Sequence, residues 1–249
     1  MGELDGRVAL VTGSTRGIGW AIARQLAADG ASVVVHGRHD LAAVELQAKE
    51  LATEFDVPTL ALAFDVSDPD GIRAGARAVF YRFKQLDVLV ANAGILGDAL
   101  VGMISDELIE RTIAVNLTGT LHLVQAGAKL MRRQKRGSIV LVSSIVGRLG
   151  NVGQLVYAAS KAGVIGAGLA AAKELGPQGI RVNIVAPGVI DTDMIRHLPD
   201  EVVKQRLGGV ALGRLGRPEE VAEAVRFLAS DRSSYVNGQV LGVDGSMVL

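Results

Sequence analysis

The 249-residue sequence contains no cysteine, which excludes disulfides and thiolate metal sites. Aromatic residues supply only 4% of it, against 49% hydrophobic residues in all, so the core must be largely aliphatic. Excess charge of either sign is also missing: 26 Lys and Arg face 26 Asp and Glu. No net field therefore argues for nucleic acid or an anionic membrane as a partner. His36, His39, His122 and His197 are scattered without metal-pair spacing, and no metal is expected. The N-terminus lacks a basic segment followed by an apolar stretch, so no signal peptide is visible. No apolar run reaches the ~18 residues of a membrane span, and a cytoplasmic protein is expected. Linker-like composition, repeats and low-complexity runs are absent too, which points to a single domain over 1–249.

What is present is alternation. Apolar runs of strand length occupy 7–11, 32–36, 59–64, 88–91, 138–142, 180–186 and 239–243. Between them apolar residues recur at helical spacing. Ile18, Ala21, Ile22 and Leu26 precede Gly30, and further helices are expected over 41–55, 72–83, after Ser105, over 154–175 and over 218–229. Strands that read as buried on both faces, alternating with helices, indicate an α/β fold. The expected architecture is a Rossmann-type doubly wound parallel sheet of about seven strands flanked by helices. The irregular stretch 188–216 follows a strand, where open α/β sheets bind ligands, and is expected to form a mobile substrate lid.

The loop Thr12-Gly13-Ser14-Thr15-Arg16-Gly17-Ile18-Gly19 joins the first strand to the first helix. Glycines there permit a tight turn and let backbone approach a phosphate without an intervening Cβ. The helix N-terminus adds unpaired N–H groups and the positive end of its dipole. The second strand ends Val35-His36-Gly37-Arg38, without the acid that would bond a ribose 2′-hydroxyl. Arg38 and Arg16 offer cationic forks for a 2′-phosphate instead, so NADP(H) is expected as cofactor. Asp in place of Gly37 is expected to shift preference toward NADH.

Tyr157 and Lys161 are four residues apart in a helical segment, hence on one face. A carbonyl that accepts hydride also needs a proton. An ordinary phenol, with pKa about 10, gives one up reluctantly, and a neighbouring ammonium lowers that pKa. Ser144 ends the fifth strand, where its hydroxyl can bond a substrate carbonyl; its neighbour Ser143 is set aside. Asn116 is an awkward helix residue, because its amide competes with the backbone.

The glycine spacing, Ser144 and the Tyr157-Ala158-Ala159-Ser160-Lys161 motif resemble those of short-chain dehydrogenases/reductases, and the likeness covers nearly the whole chain. It extends through Pro187-Gly188-Val189-Ile190-Asp191-Thr192 and the segments around Gly213, Phe227, Gly238 and Asp244. The resemblance implies a catalytic set of Asn116, Ser144, Tyr157 and Lys161, with Lys161 also on the nicotinamide ribose. It implies that Asn116 disrupts its helix and holds a water behind Lys161. Asp65 and Val66 are implied beside the adenine, and Asn92-Ala93-Gly94 beside its ribose. Backbone at Pro187, Gly188, Val189 and Ile190, with the Thr192 hydroxyl, is implied at the carboxamide. Gly150-Asn151-Val152-Gly153-Gln154 looks most like the β-ketoacyl-[acyl-carrier-protein] reductase branch. That branch implies a 3-oxoacyl thioester as substrate and an acyl carrier protein as partner, docked on Arg132, Arg133, Lys135 and Arg136. Gln178 stands where such reductases often have a base. Dehydrogenases acting on free alcohols, sugars or polyketides share these motifs, and a non-catalytic nucleotide sensor is the alternative of another class. The small apolar stretch 163–172 needs cover, and the family implies a homotetramer with such helices paired across a two-fold axis.

Overall fold

The computed structural model describes residues 2–193 and 207–248. Of the expected lid at 188–216, the part 194–206 lies outside the described residues. Seven strands form one sheet in the order β3-β2-β1-β4-β5-β6-β7. They are β1 (Val8–Val11), β2 (Ser32–Gly37), β3 (Thr59–Ala63), β4 (Val88–Ala91), β5 (Gly137–Val142), β6 (Ile180–Pro187) and β7 (Val240–Val243). Every pairing is parallel. Among the described residues the helices named are α1 (Gly17–Ala28), α2 (Leu41–Phe55), α3 (Pro69–Phe83), α4 (Asp106–Ile113), α5 (Gly119–Met131), α6 (Val146–Leu149), α7 (Leu155–Leu175) and α8 (Pro218–Ala229). The single-domain α/β architecture expected from the sequence is the one observed.

Strand alternation sorts the apolar residues into two cores. Val11, Val33, Val35, Val140 and Val185 face α1, α2 and α8 through Ile22, Leu26, Leu51, Val225 and Leu228. Leu10, Val34, Leu89, Ile139, Leu141 and Ile184 face α3, α5 and α7 through Ile72, Val79, Leu123, Met131 and Val164. Burial on both faces explains why the strands read as continuous apolar runs. The strand order reverses between β1 and β4, and the crevice at that switch point opens at the carboxyl ends of the strands.

One feature matches the helix disruption implied at Asn116, and one departs from the sequence reading. The helical region after Ser105 is interrupted by a π-helical turn, Ala114–Thr118, which separates α4 from α5. Asn116 sits inside this turn, and its side chain bonds outward rather than lying idle on the helix surface. The departure is α7. With the 3-10 turn after it, Leu155–Gln178 is long and apolar enough to cross a membrane by length and composition. Lys161, Lys173 and Glu174 interrupt the run, but the small aliphatic residues between them hold its mean hydropathy at 1.4. Only 33% of that window is buried within the chain, so α7 carries apolar surface that one chain does not cover.

Candidate active site

The glycine loop follows β1 directly. Helices α2, α3 and α4 are each capped by a side chain, from Asp40, Asp68 and Ser105 respectively. Helix α1 differs: its N-cap is Arg16, in extended conformation, with no side-chain cap among the described residues and no acid in the first turn. Trp20 N–H bonds the Arg16 carbonyl, and the N–H groups ahead of it are those a helix start offers to an anion. The glycines are required by close approach. A Cβ on Gly19 would lie 2.2 Å from the Gly13 carbonyl oxygen, and Gly13 and Gly17 both have positive φ. A Cβ on Gly17 would meet the Thr192 methyl at 3.4 Å, so the turn after β6 closes over the start of α1. This glycine-rich turn, leading into a helix start without a side-chain cap, fits a dinucleotide pyrophosphate.

The residues expected around the adenosine end are brought together, but they already bond one another. Arg38 Nε lies 3.5 Å from an Asp65 carboxylate oxygen and also bonds His39. Asp65 accepts from Ser67 N–H at 2.9 Å and from the Ser67 hydroxyl at 2.7 Å. Burial raises the Asp65 pKa, but the two Ser67 bonds and Arg38 outweigh it and hold the carboxyl below its ordinary value. The Val66 side chain is in the second core. Arg16 is exposed. Asn92 serves the loop itself, donating from Nδ2 to the Thr12 and Gly13 carbonyls at 2.9 and 3.1 Å. A Cβ at Gly37 would lie 2.6 Å from Cγ2 of Val44, which is buried, so Asp at position 37 requires that side chain to shift.

Ser144 lies two residues past β5, and Tyr157 and Lys161 occupy the first two turns of α7. The Tyr157 phenol faces the Ser144 side chain, which offsets part of the effect of burial on it; Ser144 Oγ also accepts from Val146 N–H at 3.2 Å. Lys161 Nζ lies 5.8 Å from the Tyr157 ring centroid and donates to the Val142 carbonyl at 2.9 Å. A Cβ on Gly94 would lie 3.4 Å from that Nζ and 3.2 Å from Asn116 Oδ1, so the end of β4 forms the third wall. The expected depression of the tyrosine pKa is not what the structure gives. Burial, only partly offset by Ser144 and reinforced by Asp98, pushes the Tyr157 phenol above its ordinary value. Desolvation likewise lowers Lys161 to about 8.

Behind these groups lies a buried polar chain. Asn116 accepts from Ile95 N–H at 2.8 Å, donates to the Ile95 carbonyl at 2.9 Å and to Ser160 Oγ at 3.1 Å. Ser160 in turn donates to the Tyr157 carbonyl at 2.7 Å. Ser143, set aside on sequence grounds, donates to the Lys161 carbonyl at 2.8 Å and so ties α7 to the end of β5. Ser160 carried a sequence signal, its place inside the Tyr–Lys motif; Ser143 carried none beyond adjacency to Ser144.

The turn after β6 brings Pro187, Gly188, Val189, Ile190 and Thr192 to the same edge. Gly188 is needed for packing, because a Cβ there would meet Asp244 Cα at 2.8 Å. A cleft of about 270 Å³ lies beside this turn, lined by Val189, Ile190, Arg214, Glu220 and Asp244 among others.

The expected carrier surface is not part of this assembly. Residues 132–136 precede β5, whereas Ser144 follows it, so the strand separates them by about 20 Å. Arg136 is paired with buried Asp87 at 3.2 Å, Arg132 with Glu174 at 3.3 Å, and Arg133 lies 5.0 Å over the Phe80 ring. Gln178 donates to the Glu174 carbonyl at 3.2 Å.

Comparison with known proteins agrees with this geometry. Residues 13–247 match a family profile described as Enoyl-(Acyl carrier protein) reductase. The chain is 44% identical to the 3-oxoacyl-[acyl-carrier-protein] reductase FabG of Thermotoga maritima, covering 99% of this chain and 100% of that one. It is 43% identical to the FabG of Chlamydia trachomatis over 99% of both chains. An uncharacterized oxidoreductase of Mycobacterium tuberculosis is 45% identical over 97% of both. The chain belongs to the short-chain dehydrogenase/reductase family, whose members use a nicotinamide cofactor, and is an oxidoreductase acting between CH–OH and C=O.

Proposed function

We propose that this protein reduces 3-oxoacyl thioesters, borne by an acyl carrier protein, with NADPH. The observation that carries the reading is the placement of the Tyr157 phenol against Ser144 at the carboxyl edge of the sheet, with the Lys161 ammonium one turn behind it. In this reading Ser144 holds the substrate carbonyl oxygen and Tyr157 delivers the proton to it. Bound NADPH supplies hydride to the carbonyl carbon. Lys161 bonds the nicotinamide ribose and keeps positive charge near the phenol, while Asn116 braces the wall behind. Gly13, Ser14, Thr15, Arg16, Gly17, Ile18 and Gly19 cradle the pyrophosphate; Arg38, Asp65 and Val66 flank the adenosine, and Asn92, Ala93 and Gly94 its ribose. Pro187 to Thr192 meet the carboxamide. A cytoplasmic location belongs to the same reading.

The test is spectrophotometric. Purified protein is offered a 3-oxoacyl thioester, a 2-enoyl thioester and free ketones, with NADPH oxidation as readout. Fastest turnover of the 3-oxoacyl thioester supports the reading. Preference for the enoyl thioester would move the activity to C=C reduction, as the description of the matched family suggests. No turnover of any carbonyl would favour a non-catalytic nucleotide sensor.

Cofactor choice rests on Arg38 and Arg16. Charge-assisted hydrogen bonds to a phosphate contribute roughly 1.5–3 kcal/mol when well formed. Arg38 is half-exposed and must leave Asp65 to make one, so a discounted preference of about tenfold for NADPH over NADH is expected. Arg38→Ala should remove most of it, measured as the ratio of dissociation constants. Equal affinities in the parent protein would refute the assignment.

A homotetramer belongs to the same reading: the uncovered apolar surface of α7 supports pairing between subunits, and the family resemblance supplies the number four. Antiparallel pairing of α7 across a two-fold axis would set residues 132–136 of one subunit near Tyr157 of the next, since α7 spans about 30 Å. A carrier docked on that surface would then deliver its thioester to the neighbouring subunit. Lys135→Glu should raise KM for carrier-bound substrate and leave a short free thioester unaffected; equal effects on both would remove the carrier surface from the reading. A monomer mass by light scattering at micromolar concentration would remove the tetramer.

A further inference from the structure

His36 carries no role in the reading above, yet both of its ring nitrogens have hydrogen-bond partners. It lies near the end of β2 and is only 2% exposed. Gly13 N–H donates to its Nδ1 at 3.0 Å. Its Nε2 lies 3.0 Å from the Phe64 carbonyl oxygen. A backbone N–H can only donate and a carbonyl can only accept, so these two partners fix the tautomer: Nδ1 holds the lone pair and Nε2 the proton. The ring also packs against Phe64, with centroids 4.1 Å apart.

The same residue continues the sheet into the glycine loop. The β1–β2 ladder ends at Val11 and Val35. Beyond it, Ser14 N–H donates to the His36 carbonyl at 3.0 Å and His36 N–H donates to Ser14 Oγ at 2.9 Å. The Ser14 hydroxyl donates to the Val11 carbonyl at 2.8 Å. Gly13 is thus held at both ends of its backbone: its N–H by the His36 imidazole from β2, its carbonyl by the Asn92 amide from β4. A Cβ on Gly19 would strike that same Gly13 carbonyl, so the orientation of Gly13 also sets how closely the start of α1 can approach.

We infer that His36 is a positioning residue of the dinucleotide site: its neutral imidazole fixes the peptide of Gly13, and through it aims the remaining loop N–H groups at the cofactor phosphates. Asn92 is its counterpart on the other side of β1. The role concerns cofactor affinity and not the chemical step, because His36 contacts β2, β3 and the loop and none of Ser144, Tyr157 or Lys161. It rests on the reading that the glycine loop binds a nicotinamide dinucleotide.

Three variants separate this role from mere packing. His36→Asn places Oδ1 one bond from Cγ, where Nδ1 stood, and keeps an acceptor for Gly13 N–H. His36→Gln keeps a donor in reach of Phe64 but offers Gly13 nothing at that position. His36→Phe keeps the ring and loses both bonds. NADPH and NADH affinities are read by fluorescence titration, together with kcat at saturating cofactor and the melting temperature of each cofactor-free protein. The expected order is parent, then Asn within about threefold, then Gln and Phe weaker by at least about tenfold, with kcat unchanged within about twofold. Phe binding as tightly as the parent would overturn the inference. So would losses of affinity that track melting temperature across all three variants with no recovery in Asn. If the parent protein binds neither dinucleotide, the cofactor reading itself fails. Should the Phe variant not fold, the Asn and Gln pair still decides. The ¹⁵N shifts of His36 in the intact parent add a check: a protonated Nε2 and a bare Nδ1 at neutral pH support the assignment, and the opposite tautomer overturns it.

Discussion

Replacing Tyr157 by Phe is expected to cut turnover by about 10²–10⁴-fold and to leave NADPH affinity within about threefold of the parent protein. The variant loses one oxygen atom. That oxygen faces Ser144, where the carbonyl oxygen would sit, so the loss falls on proton delivery and not on the cofactor cradle at the start of α1. Burial holds the phenol above its ordinary pKa, which keeps the proton on Tyr157 throughout the neutral range and ready for a reduced carbonyl oxygen. An interaction made only in the transition state lowers kcat and kcat/KM together, and that pattern is expected here. The fold should be untouched, since Ser160, itself held by Asn116, bonds the Tyr157 carbonyl and not its side chain. Retained turnover in the Phe variant would reject Tyr157 as proton donor. A large loss of NADPH affinity with kcat preserved would reject it equally, because the tyrosine would then be a cofactor contact alone.

The parts of this molecule that were legible in its sequence are those fixed by local chemistry. Strands such as Val33–Val34–Val35 announce themselves because both faces are buried, and the glycine loop because a Cβ at Gly19 has no room. The Tyr157–Lys161 pair is legible because helical periodicity places them on one face. What the sequence could not show depends on register across the sheet. His36 is a polar residue closing an apolar run until β2 and β3 align it with the loop and Phe64. Arg38 and Asp65 looked like two independent ligands until the ends of those same strands brought them within 3.5 Å. The rise in the Tyr157 pKa was hidden for a similar reason: proximity to Lys161 is written in the spacing, but the burial that outweighs it comes from packing. The basic residues at 132–136 read as one patch, yet Asp87 and Glu174, distant in the chain, take up two of them.

Replacing Lys161 by Met is expected to raise stability while removing activity. The lysine is 5% exposed, and burial lowers its pKa to about 8 from an ordinary value of 10.5. Between those two values the unfolded chain binds more protons than the folded one, so stability rises with pH across that window. Below about pH 8 the full penalty of holding the charge is present, roughly 3 kcal/mol. A thioether of similar length fills the space without it, and such replacements of buried charge are neutral or stabilising by about 1–4 kcal/mol. The cofactor-free variant should therefore melt higher, by roughly 2–4 °C for each kcal/mol gained. Turnover should fall at least about a hundredfold, because no cation remains beside the phenol. The pH profile separates the two residues. Reduction by the parent protein should decline as pH rises through about 8, where Lys161 loses its proton; Tyr157, pushed above its ordinary value, contributes no fall in that range. The limb near 8 should be missing from whatever residual activity the Met variant keeps. A variant that melts lower and still turns over would show that the ammonium is a structural strut bonded to the Val142 carbonyl. A limb near 8 that persists in the Met variant would assign it to some other group.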